Sequence, residues 1–286
     1  MRLDRFLTLH LFQPWQWSAG AGELPVLMYH SISDTKEQGP AYYHTATSPK
    51  LFSEQMALLR ANGFRAVTLR QGRELLKRDG KAGKAVAITF DDGSRDFYAD
   101  AFPVLQQHGF SATMFLPTAF IREKRRMFKE RECMTWTEAR ELHRAGIEFG
   151  SHTINHPKLY ELDFSDIRTE LQVSKWVIED KLGVAISSFA YPYAFPSADR
   201  DFVETLTDLL KGSGYECNAT TRIGRVHAED DPYTLKRLPV NSGDDSALFL
   251  AKIRGAYDWM NWPQDRLKKL KVAKNGRTQQ RLCRAP

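Results

Sequence analysis

The chain has 286 residues and a mass of 32.8 kDa, 42% of them hydrophobic, with 18 glycines and 13 prolines. That is enough chain for a sizeable core, and its mixed composition excludes disordered, collagenous and coiled-coil classes. The net charge of +6 is uneven: residues 264–286 carry eight Lys/Arg against one acid, so the 41 basic and 35 acidic groups leave 33 against 34 for residues 1–263. A near-neutral body with no broad basic face argues against a nucleic-acid partner.

Cys133, Cys217 and Cys283 are odd in number and far apart, so neither a disulfide framework nor a zinc knuckle is expected. No run approaches the ~20 apolar residues of a membrane helix. The opening segment Met1–Leu11 sets Arg2, Asp4 and Arg5 around a short apolar run broken by His10. It does not read as a secretory signal, and together with the free cysteines this favours the cytoplasm. The expected organisation is an N-terminal extension (1–23), one folded domain (24–263) and a basic tail (264–286).

In chain order the expected strands are Pro25–Tyr29, Ala66–Leu69, Val86–Phe90, Ser111–Leu116, Ile147–Gly150, Ser187–Tyr191, Glu216–Thr220 and Leu235–Val240. They are short and mostly apolar, as strands buried on both faces are. Amphipathic stretches lie between most of them. Five of these close on a glycine followed by an apolar residue (Gly63, Gly109, Gly146, Gly183, Gly214), the position of a left-handed helix stop. Ser48-Pro49 caps a helix over Leu51–Asn62, and Thr135 or Thr137 opens another that ends near Ala145. Such alternation predicts an α/β fold of parallel strands with crossover helices, and the length favours a seven- or eight-stranded (β/α) barrel over an open sheet.

Barrel sites lie at the C-terminal ends of the strands. His30, Asp91-Asp92, His152, His156 and Pro192-Tyr193 all follow expected strands. Adjacent carboxylates on a regular strand would face opposite ways, but Gly93 permits a turn that brings both to one pocket; a capping or turn role is the plainer alternative. His152 and His156, four apart, can share a metal, and Pro157 favours a loop rather than a helix at His156. Thr153 stands where the glutamate of HExxH would be, which removes the zincin reading. Two histidines and one aspartate make a ligand set with open positions, leaving the other aspartate as a base for a water activated at the metal.

The motifs Thr89-Phe90-Asp91-Asp92-Gly93, Ser151-His152…His156-Pro157 and Phe189-Ala190-Tyr191-Pro192-Tyr193, in this order, resemble the polysaccharide deacetylase family, carbohydrate esterase family four. The resemblance spans about Leu24 to Val240. It implies a distorted (β/α) barrel and a metal-dependent carbohydrate N-deacetylase that hydrolyses the acetamide of an amino-sugar glycan or its lipid-linked precursor. It also implies a divalent metal, most often zinc, with cobalt, nickel or iron as alternatives. It makes Asp91 the catalytic base and Asp92, His152 and His156 the metal ligands. The N–H of Tyr193, after Pro192, becomes an oxyanion donor, and Tyr191, Pro192 and Asn155 become substrate-side residues. Ala190 departs from the family's chitin-type members, which carry an arginine there to support the base; the alanine form is similar to the poly-β-1,6-N-acetylglucosamine branch. Arg237 is the expected replacement. The family's late Leu-x-x-His is missing, and His30 in Leu27-Met28-Tyr29-His30-Ser31-Ile32 resembles the permuted histidine acid of that branch.

Three features lie outside these motifs. The run Arg122–Arg131 could meet an anionic part of the substrate, or be a solvated loop. Trp259 and Trp262 could stack on sugar, or pack a last helix. The tail, with Lys268, Lys269, Lys271 and Lys274 around Leu267, Leu270 and Val272, could hold the protein at an anionic membrane or be a solubilising end. The rival functions are hydrolysis of another amide, formamide or cyclic imide, and an inactive carbohydrate-binding module. A two-carboxylate glycosidase fits poorly, because adjacent aspartates cannot flank a glycosidic bond.

Overall fold

The computed structural model describes residues 2–12, 22–39, 43–264 and 266. Eight parallel strands form its centre: β1 (Val26–Tyr29), β2 (Arg65–Val67), β3 (Ala85–Phe90), β4 (Thr113–Leu116), β5 (Glu148–Ser151), β6 (Ser188–Ala190), β7 (Cys217–Ile223) and β8 (Leu235–Pro239). Seven of them close a ring in the order β1, β8, β7, β6, β5, β4, β3, completed where Val26 to Tyr29 of β1 pair with Ala87 to Phe90 of β3. β2 stays outside the ring, beside the first half of β3, with Arg65 opposite Ala85. This is the barrel expected from the alternation, and each expected strand forms within a few residues of its predicted limits.

Around the ring lie α1 (Leu3–Leu7), α2 (Pro49–Ala61), α3 (Leu69–Asp79), α4 (Phe102–His108), α5 (Trp136–Arg144), α6 (Phe164–Leu182), α7 (Arg200–Gly212) and α8 (Ser246–Ile253). Their ends follow the capping rules. Ser48 Oγ accepts from Leu51 N–H at 3.2 Å. Thr135 rather than Thr137 opens α5, in a capping box with Glu138. Thr68 makes the same box with Gln71, which is why β2 stops at Val67 instead of running to Leu69. The five glycine stops all have positive φ, from 64° to 93°.

Two features tie the barrel to its site. An aromatic cluster links β1, β3 and α2: Tyr29 stacks on Phe90 (5.2 Å) and meets Phe52 edge-on (5.3 Å), and its hydroxyl donates to Gln55 Oε1 at 2.8 Å. Each such ring contributes about 1.5–3 kcal/mol by burial, which holds the strand ends that carry His30 and Asp91 side by side. The β7–β8 ladder is irregular, with Ala219 opposite Leu235 and Ile223 opposite Arg237, so four residues of one strand match two of the other.

The run Arg122–Arg131 is not a plain loop. Met127–Phe128 pairs antiparallel with Arg131–Glu132 across a two-residue turn, Lys129-Glu130. Within the N-terminal extension, Leu3–Phe12 is helical, as α1 continued by a wider π-type turn, and docks near α8. Among the described residues no helix is long and apolar enough to cross a membrane. The tail lysines and Leu267, Leu270 and Val272 lie outside the described residues.

Candidate active site

The chain turns sharply after β3, where Asp92 has φ 72° and Gly93 φ 67°. This left-handed step is what lets two consecutive carboxylates reach one pocket. Glycine is needed at 93 for space as well, since a Cβ there would stand 2.8 Å from Ile121 Cδ1.

Asp91 is 2% exposed and receives a bidentate pair from Arg237: Nη1 donates to Oδ1 at 2.7 Å and Nη2 to Oδ2 at 2.8 Å. The buried guanidinium is fixed in turn by donation from Nε to the Thr220 carbonyl (3.0 Å) and from Nη1 to Thr89 Oγ1 (3.2 Å). Burial pushes the Asp91 carboxyl up, but the charges of Arg237 and His152 and the Arg237 hydrogen bonds outweigh it and bring the pKa down to about 2. Arg237 thus contacts the aspartate that the sequence assigns it to support. His30, partly exposed just after β1, places Nε2 3.9 Å from Asp91 Oδ2. Burial lowers its pKa, opposed by Asp91 and Asp92.

His152 follows β5, and a tight loop carries the chain on to His156. Thr153 (φ 71°) and His156 (φ 53°) are both left-handed, so the loop expected from Pro157 is found and the helix is not. Glu170 of α6 fastens this loop, accepting from the N–H groups of Ile154 (2.7 Å) and Asn155 (3.0 Å) and from Asn155 Nδ2 (2.7 Å). His152 Nδ1 lies 2.7 Å from the Ala190 carbonyl, which requires the proton on Nδ1 and leaves the Nε2 lone pair toward Asp92. Burial keeps this ring neutral, with its pKa pushed down to about 3.

Asp92 Oδ1 lies 3.2 Å from His156 Nε2 and 3.7 Å from His152 Nε2, and one ligand atom from each of the three residues falls within 4.8 Å of the others. Bonds of about 2.1 Å in a tetrahedron set ligand atoms about 3.4 Å apart. The donor set therefore fits a divalent ion with no large rearrangement. Burial raises the Asp92 carboxyl, but His156, His30 and Lys129 together hold it well below the usual range.

Sequence reasoning missed Lys129. The hairpin tip drops its ammonium to 3.0 Å from Asp92 Oδ2 and 3.5 Å from His156 Nε2, so it competes with any cation for the same lone pairs. Phe128 beside it meets the His156 ring at 5.3 Å. The basic run was visible in sequence; the turn was not, because Lys129-Glu130 (φ 47° and 62°) lacks the Asn or Gly usual for this geometry. Of the other charges in that run, Arg125 pairs with Glu138 at 2.9 Å and Arg131 with Glu37 at 3.5 Å.

The substrate-side residues divide. Tyr193 is left-handed (φ 57°), exposed, and packs its ring 4.6 Å from that of His156, on the rim of the site with Pro192 buried behind it. Tyr191 is 2% exposed and packs edge-on to Phe195, so it offers no ring face to a sugar. Asn155 commits its amide to Glu170 and serves the loop. Trp259 lies against the N-terminal segment, stacked on Phe12 at 5.0 Å. A cavity of about 190 Å³ opens over the site, lined by His30, Ser31, Asp92, Phe128, Lys129 and Arg131. A larger depression of about 660 Å³, beside α3 and Arg65, sits where β2 begins and holds none of these groups.

A parallel barrel with an Asp-Asp pair and two histidines at its strand ends defines a carbohydrate deacetylase class. The pattern of the polysaccharide deacetylase family matches residues 78–217. The chain is 31% identical over 240 residues to the polysaccharide-deacetylase-family protein YxkH of Bacillus subtilis, covering 84% of this chain and 79% of that one. It is 25% identical over 203 residues to the poly-β-1,6-N-acetyl-D-glucosamine N-deacetylase of Staphylococcus aureus, covering 66% and 69%. The Streptococcus pyogenes deacetylase PplD, solved with acetate, superposes with a TM-score of 0.71 at 24% identity, covering 82% of this chain and 99% of that one. The chain belongs to the polysaccharide deacetylase family.

Proposed function

We propose that this protein is a metal-dependent N-deacetylase of an amino-sugar glycan, an N-acetylglucosamine polymer or its lipid-linked precursor. One observation carries the reading. An ionised, arginine-braced Asp91, a ligand-spaced Asp92–His152–His156 cluster and His30 meet at one pocket of a family barrel. Asp92, His152 and His156 would hold the ion, and their imidazole-carboxylate character suits zinc. When bound, the ion supplies Lewis acidity and lowers the pKa of a coordinated water toward neutrality.

The chain's own residues do the rest. Asp91 takes the proton of the attacking water, and Arg237 keeps its carboxylate ionised and correctly turned. The Tyr193 N–H donates to the oxyanion, a kind of contact worth about 10²–10³ in rate. His30, near Asp91, delivers a proton to the departing amine nitrogen. An inactive sugar-binding module is disfavoured, because binding alone has no use for a second buried carboxylate held ionised beside the ligand cluster.

The test combines metal analysis of the purified protein with acetate release from N-acetylated β-1,6-linked glucosamine oligomers, set beside N-formyl and cyclic imide substrates. Stoichiometric divalent metal and acetate release are expected. Metal-loaded protein that turns over only the imide would replace this reading with the small-amide one.

A further inference from the structure

The N-terminal helical segment is amphipathic the wrong way round for a helix on a protein surface. Its ion pairs lie toward the barrel: Arg2 pairs with Asp244 (3.1 Å) and Asp4 (2.7 Å) in a largely buried cluster, and Arg5 pairs with Asp245 at its solvent-exposed edge. Asp4 accepts from the Tyr257 hydroxyl at 2.8 Å, and fully buried Thr8 accepts from Trp259 Nε1 at 3.1 Å. Its outer side is mostly apolar, with Leu3 68% exposed, Phe6 39%, Leu11 53% and Phe12 37%, and His10 exposed among them against Phe6. Through the Phe12–Trp259 stack this face continues toward Trp262, 63% exposed, over which Arg266 lies at 4.0 Å. Soluble surfaces rarely gather large apolar side chains in this way without a partner.

Two facts of the sequence point to that partner. The chain runs from Phe12 directly into Trp15 and Trp17, residues that favour the boundary between headgroups and acyl chains. From Trp262 it runs into residues 264–286, eight basic to one acidic. An apolar helix face flanked by tryptophans and a cationic segment is the composition of an interfacial anchor on an anionic bilayer.

We propose that the exposed face of the N-terminal helix, with Trp262, docks this protein onto a membrane of anionic phospholipid. The apolar side chains enter the headgroup boundary, and the charge carried by residues 264–286 of the sequence complements acidic headgroups. The inference goes beyond the proposed chemistry and does not depend on which amide is cleaved.

Flotation of the full-length protein with vesicles of phosphatidylcholine containing about one-third phosphatidylglycerol tests it. The wild type should float with these vesicles and only weakly with phosphatidylcholine alone. Leu3→Asp with Phe6→Asp should weaken binding at least tenfold, and so should Lys268→Gln, Lys269→Gln, Lys271→Gln and Lys274→Gln combined. Phe6→Trp should bind as well as the wild type. Leu3 and Phe6 lie outside the catalytic pocket, so unchanged turnover of a soluble substrate checks that the double variant is folded. Three results would overturn the proposal: a wild type that does not float, a double-aspartate variant that binds as tightly as the wild type, or sedimentation showing a dimer that the double variant splits.

Discussion

Replacing Arg237 with methionine removes the guanidinium but keeps much of its length, leaving Asp91 buried without its cation. In the wild type the folded-state pKa of Asp91 is about 2 against an ordinary 3.8, a difference worth about 2.4 kcal/mol of stability. Because the folded pKa is the depressed one, that contribution is fully present above about pH 4 and is lost as pH falls toward 2. In the variant the remaining strong influence is burial, which pushes the carboxyl up. Removing one partner of a buried pair costs about 3–5 kcal/mol, or roughly 5–8 °C in Tm for a chain of this size. The deficit should be largest near neutral pH and shrink as pH falls from the variant's raised folded-state pKa toward the wild type's value of about 2, because the unfolded chains titrate alike and only the folded carboxyls differ. The same change should move the acid limb of kcat/KM for acetate release upward in pH, since the base then protonates more readily. Thermal melts between pH 3 and 8, together with that rate profile, make the measurement. A methionine variant with wild-type Tm and an unmoved acid limb would show that Arg237 does not set the state of Asp91.

Asp91→Asn should keep stoichiometric metal and lose turnover by several orders of magnitude, whereas His152→Ala should lose both; metal analysis of the two proteins separates base from ligand. His30→Gln should retain metal, lower kcat and abolish the alkaline limb of the pH profile, since a histidine acid stops working as pH rises through its pKa. Glu170→Gln should weaken metal binding about 10–100-fold, as losses behind a ligand do, measured by chelator competition, because the loop N–H groups of Ile154 and Asn155 lose their carboxylate acceptor. Glu130→Gly should raise Tm by a few degrees, because the left-handed strain of about 1–2 kcal/mol exceeds the added chain entropy of glycine; a lower Tm would mean that the turn is not strained.

What could be read in the sequence was what is encoded locally. The apolar strands, the Ser48 cap and the glycine stops are short-range patterns, and they placed the barrel and the strand-end polar residues correctly. The partnership of Arg237 with Asp91 joins residues 146 apart in sequence and depends on ring closure and the β7–β8 irregularity. It was legible only because a resemblance required some cation there. Tyr191 looked like part of a substrate motif, yet as the residue after a short strand its side chain turns into the core beside Phe195. The N-terminal segment escaped because its apolar residues suggest an inward face, while the ion pairs that turn it outward come from Asp244 and Asp245, at the far end of the chain.

The backbone itself marks the site. Six non-glycine residues have left-handed φ among the described residues, namely Asp92, Lys129, Glu130, Thr153, His156 and Tyr193. Two are metal-ligand candidates, one lies between the histidines, one is the oxyanion-donor candidate and two form the hairpin tip over the pocket. Each such conformation costs about 1–3 kcal/mol and persists only where packing imposes it. Here the imposing contacts can be named. Ile121 and Leu116 crowd Gly93 behind Asp92, Glu170 grips the histidine loop, and Thr221 Oγ1 donates to the Tyr193 carbonyl at 3.1 Å. A regular barrel would splay these side chains along alternating directions and leave them too far apart to share an ion. The strain is therefore the means by which short, ordinary strands bring three candidate ligand atoms and the candidate base into one pocket.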